Sequence, residues 1–132
     1  MATDQLLMGL GMPPMLAERL ADTSGSINVA GAGSSTATAF QIRGTQFLVF
    51  INSGATTNWV ALPTIGGSDN AAQIADNFVI HNGLASSATV GIPTGVTVNI
   101  GGANVTAQFT ITTAKTFTGW PVSTTQWFGI VG

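Results

Sequence analysis

The chain has 132 residues, enough for one domain that buries roughly two thirds of the surface its unfolded form exposes. Charged side chains make up 6% of it and the net charge is −2, where an ordinary soluble domain carries about 25% charged residues. Cys is absent, which rules out disulfides, thiolate zinc and thiol redox chemistry, and the lack of any basic patch argues against nucleic acid as a partner.

Residues 1–25 differ in character from the rest. Pro13-Pro14 followed by MLAERLAD predicts a short helix with Pro in its first turn. Met15, Leu16 and Leu20 form its apolar stripe, and Glu18, Arg19 and Asp22 lie away from it. Two roles fit: a helix that caps the end of the β-domain, or an arm that docks on a partner with GLGMPP as its lead. The Gly-x-Gly there is no phosphate loop, because no strand precedes it and Pro-Pro follows. The opening MATDQLL has an acid where a secretory leader has base, so it reads as no leader.

From Ser26 onward the apolar period is two. Phe40/Ile42, Val96/Val98/Ile100 and Val105/Ala107/Phe109/Ile111 face one way, while Thr97, Asn99, Thr106, Gln108 and Thr110 face the other. That alternation predicts half-buried antiparallel strands. Gly, Asn, Ser and Pro clusters recur at the short intervals that separate strands of a sandwich or barrel. The expected fold is therefore all-β: an antiparallel β-sandwich or jelly-roll-like barrel over residues 26–132, with residues 1–25 as a short N-terminal α-helix and arm.

Two stretches repeat each other. VFINSGATTNWVALPT (Val49–Thr64) and VIHNGLASSATVGIPT (Val79–Thr94) share Val49/Val79, Asn52/Asn82, Ala55/Ala85, Val60/Val90, Pro63/Pro93 and Thr64/Thr94. Each copy reads as a hairpin: a strand, an Asn-Gly type turn and a returning strand ended by Pro. An isolated hairpin is marginal, so the two copies are expected to stack or to sit on opposing sheets. QFLVFI and WFGIV break the alternation by being apolar on both faces, which implies cover on both sides. In so short a chain the second cover is expected from a neighbouring copy or from the N-terminal helix, the neighbouring copy being preferred. Phe47, Leu48, Phe50, Trp127, Phe128 and Ile130 are the expected subunit-interface residues of a homo-oligomer, a trimer by preference because closed symmetry leaves no sticky edges.

Catalytic chemistry finds little support. His81 is the one histidine, and Ser86 or Ser87 with Asp76 nominally completes a Ser-His-Asp set. No Gly-x-Ser-x-Gly elbow accompanies it, and hydroxyl residues are everywhere in this chain. GGSDNAAQIADN lacks the ligand order of a calcium loop. No catalytic, metal or cofactor-binding residue is therefore expected, and no cofactor. A membrane is not expected either, since the longest apolar run, Phe47–Ile51, is far shorter than the ~20 residues of a spanning helix. Trp59, Trp120 and Trp127 fit core packing, a subunit interface or a platform for sugar rings.

NFVIHNGLASSATVGIPTGVTVNIGG and FTGWPVSTTQWFGIVG resemble a pattern of small virion proteins of tailed bacteriophages: an Asn-containing strand end, a Val-x-Ile-Pro-x-Gly hairpin and a closing strand with Gln-Trp. MGLGMPPMLAERLA resembles the start of such proteins. The resemblance covers residues 1–22 and 78–132. It implies a head decoration (cement) protein or a related accessory component of the capsid or tail. A decoration protein would sit on the outer capsid surface of the virion, be assembled in the host cytoplasm, and have the major capsid protein and itself as partners. Under that reading Leu6, Leu7, Leu10, Met12, Met15, Leu16 and Leu20 are the expected capsid contacts, because Met and Leu adapt to irregular apolar surfaces. A receptor- or glycan-binding fibre or knob module, and an unrelated cellular β-sandwich, are the alternatives.

Overall fold

A computed structural model describes residues 26–53, 58–67 and 70–132. The expected helix and the seven expected capsid contacts between Leu6 and Leu20 lie outside the described residues. Those residues form an all-β structure with no helix. Its strands are β1 (Ser26–Ala30), β2 (Phe40–Gln41), β3 (Leu48–Ser53), β4 (Trp59–Ala61), β5 (Phe78–Asn82) and β6 (Ala88–Gly91). They are followed by β7 (Thr97–Ile100), β8 (Ala103–Val105), β9 (Gln108–Ile111), β10 (Thr116–Pro121) and β11 (Gln126–Val131).

One sheet has seven strands in the order β1-β3-β5-β10-β11-β7-β8, and the other has four in the order β2-β4-β6-β9. Successive strands from β1 to β6 thus alternate between the two sheets. β1, β3 and β5 lie parallel in the first, and β2, β4 and β6 lie parallel in the second. The expected antiparallel arrangement is corrected here: the sheets are mixed. The hairpins expected of the repeat are corrected with it. β3 and β4 belong to different sheets, so each repeat copy is an arch whose two arms face each other through side chains rather than through backbone hydrogen bonds.

The repeat is the stacking of two such arches. Val60 and Val90, which the repeat superposes, are register partners and both fully buried. On the other arm the register is one residue out of step: Val49 pairs with Ile80, and Ile51 with Asn82. The period of two explains the slip. Val49, Ile51 and Ile80 all point inward, and matching Val49 with Val79 would have turned one strand inside out.

The second half closes the structure with antiparallel pairs, except that β11 runs parallel to β7. β7 and β8 form a tight hairpin through Gly101 and Gly102, whose φ angles of 60° and 87° are those of a type I′ turn. β9 returns to the small sheet against β6, and β10 pairs with both β5 and β11. Both sheets contribute to one apolar core, in which Trp127, Phe78 and Phe117 are the largest fully buried side chains. Phe78 meets Phe47 and Trp127 edge-on, at centroid distances of 5.3 and 5.2 Å. Phe117 lies over the register pair Gly119 and Gly129, where any Cβ would collide with its ring.

Candidate functional site

The outward face of the seven-stranded sheet departs from the usual hydrophobic-in, polar-out alternation. Register places Leu48, Val79, Thr118 and Ile130 in one row across β3, β5, β10 and β11. Phe50, His81 and Thr116 form a second row, and Trp120 and Phe128 begin a third that continues through Asn99 and Asn104. Leu48 is 47% exposed, Phe50 41%, Phe128 38% and Ile130 58%. Single exposed apolar residues need no explanation, whereas a contiguous group of them is a feature to be accounted for.

Its side chains hold one another in place. Phe50 stacks on His81 at 5.2 Å between ring centroids, with 24° between the planes. Trp120 and Phe128 meet at 5.2 Å in a tilted arrangement. His81 Nδ1 shares a hydrogen bond of 2.8 Å with Thr116 Oγ1, and Asn99 Nδ2 donates to Asn104 Oδ1 at 2.8 Å. None of the residues in these rows is Asp, Glu, Lys or Arg.

Four of the six expected interface residues, Leu48, Phe50, Phe128 and Ile130, come together on this face. The other two do not. Trp127 is fully buried beside Phe78, and Phe47 is half-buried against the core. Strand parity is the reason: Phe128 and Ile130 share one side of β11, and Trp127 takes the other with Gly129. Val79 and His81 complete the face without having been expected there, and Trp120, for which a subunit interface is one of three readings, joins them. The signal for Val79 was present in FVIHN, which is apolar at three consecutive positions.

The residues of the nominal catalytic set have other bonds. His81 bonds Thr116, Asp76 Oδ2 accepts from Gln73 N at 2.9 Å, and Ser86 Oγ accepts from Asn58 Nδ2 at 2.9 Å. Among the described residues there is no group of three His, Cys, Asp or Glu placed to hold a metal ion. No helix among them is long and apolar enough to cross a membrane.

No family model, characterised protein or solved structure matches the chain.

Proposed function

We propose that the protein is a structural virion component: a head decoration protein of a tailed bacteriophage that binds the major capsid protein and stabilises the head. In this reading the two sheets pack as a rigid β-sandwich, and three copies associate through the outer face of the seven-stranded sheet. The observation that carries the proposal is that face, with Leu48, Phe50, Phe128 and Ile130 exposed together. A self-associating surface needs apolar area and no like-charge repulsion, and these rows provide both. The low charge of the whole chain and the resemblance of residues 1–22 and 78–132 to small phage virion proteins point the same way. Residues 1–25 supply the capsid contact, leaving the sheet face for the neighbouring copies.

Copy number tests this. Gel densitometry of purified particles against the major capsid band should show a stoichiometry comparable to the capsid protein, with hundreds of copies per particle expected of a cement protein on a large head. A stoichiometry lower by an order of magnitude would assign it to a fibre or tip, and absence from particles would leave a cellular interaction domain.

A further inference from the structure

The outer face of the four-stranded sheet carries a different kind of surface. The segment 32–39 folds back over it: Ala32 N donates to Trp59 O at 3.0 Å, and a Cβ on Gly91 would collide with the Thr36 side chain. Between this segment and the strand-end loops 62–64, 92–95 and 106–108 lies an open groove of about 950 Å³, within the range of small-ligand sites. Trp59, half-buried, lines it together with Leu62, Ile92 and the two repeat prolines. Its polar side chains are amides, hydroxyls and the Arg43 guanidinium, and among the described residues no carboxylate lines it.

Two of the amides are held in fixed orientations. Gln41 Nε2 donates to Thr36 O at 2.8 Å and to Ala39 O at 3.0 Å. Both partners are carbonyls, so the amide orientation is set by chemistry and Oε1 is left as an acceptor. Asn70 Oδ1 accepts from Arg43 Nε at 3.1 Å, which leaves its Nδ2 to donate. The groove therefore combines part of an indole, an apolar floor, an oriented acceptor and an oriented donor. A pyranose has the matching set: a C–H face for the aromatic ring and hydroxyls that both donate and accept. A phosphate or other strong anion would want several cations, and among the described residues Arg43 is the one cation lining the groove. A lipid would want an enclosed apolar cavity, and this one is open and rimmed with amides.

We propose that this groove binds a neutral saccharide, with Trp59 as the stacking platform and Gln41 and Asn70 as the hydroxyl-reading groups. The site is independent of the assembly reading above, since it lies on the opposite sheet. The test is titration of the full-length protein with maltotriose, cellotriose, tri-N-acetylchitotriose and lactose, followed by ligand-observed NMR and calorimetry. At least one should bind with a Kd on the order of 0.1–1 mM, a range suited to one shallow site. Trp59→Ala should weaken that binding about tenfold, Gln41→Leu should weaken it severalfold, and Val122→Ala, at an exposed position outside the groove, should leave it unchanged. Should Trp59→Ala lose its circular dichroism signature, Gln41→Leu decides. The proposal is overturned if no neutral probe binds, or if binding survives in a folded Gln41→Leu together with a folded Trp59→Ala. Binding of sialyllactose without binding of lactose would also overturn it, by assigning the groove to acidic ligands at Arg43.

Discussion

Asn82 is fully buried, yet its side chain is well satisfied. Nδ2 donates to Ser86 O at 2.8 Å and to Ile111 O at 2.9 Å, and Oδ1 accepts from Leu84 N at 3.0 Å. Its backbone joins Lys115 O and Ala114 N at 3.0 and 3.1 Å. One residue thus ties the bend after β5 to the turn between β9 and β10. The sequence marks Asn82 only as a turn former, because nothing local tells that an amide will bridge to a strand end 29 residues away. Removing the amide leaves carbonyls without a donor, each costing about 1–3 kcal/mol where water cannot replace it. Asn82→Ala is therefore expected to destabilise the fold by about 2–4 kcal/mol, measured by urea unfolding, with the far-ultraviolet spectrum of the folded state unchanged. A loss below about 0.5 kcal/mol would mean that the bridge is idle.

At the scale of elements, the alternating strands and the repeat were readable, and the way they join was not. A hairpin and an arch have the same pattern of strand, turn and strand. They differ in whether the two arms meet edge to edge or face to face, and that depends on partners far along the chain. Val49 and Ile51 could bury themselves in either geometry. What decides is that β3 finds parallel neighbours β1 and β5, while β4 finds β2 and β6. The β7–β8 hairpin was more legible, since Ile-Gly-Gly-Ala between alternating strands is a local signal. There both glycines hold positive φ, which costs a β-branched residue about 1–2 kcal/mol. Gly102→Val is accordingly expected to lower stability by about 1–2 kcal/mol in urea unfolding, and Gly101→Asn by much less, because Asn tolerates the left-handed region. Equal losses from the two substitutions would contradict the turn assignment.

For the whole molecule, the question is what covers the apolar rows on the seven-stranded sheet. Doubly apolar QFLVFI and WFGIV announced an extra contact surface, but parity along β11 had to be seen before Trp127 could be moved to the core and Ile130 to the outside. If copies of the chain meet on this face, a carboxylate placed there would be buried without a partner, at a cost of several kcal/mol. Leu48→Asp with Ile130→Asp is expected to convert the oligomer to monomer in sedimentation at micromolar concentration. Circular dichroism should not change, since both side chains are largely exposed. A wild-type chain that sediments as a monomer would remove this role from the face.

Residues 1–25 hold all four Met of the chain. Under the decoration reading Met12 and Met15, with the leucines at 6, 7, 10, 16 and 20, contact the capsid. β1 begins at Ser26 and takes its backbone partner, β3, from within the described residues. Fully burying one such side chain stabilises a contact by about 1.5–3 kcal/mol, and several of them exceed the cost of ordering the segment. A truncated chain starting at Ser26 should therefore stay folded and oligomeric, by circular dichroism and sizing, yet fail to rebind particles stripped of the protein. Unfolding of that chain would make residues 1–25 part of the core. Retained binding would move the capsid contact onto the sheets.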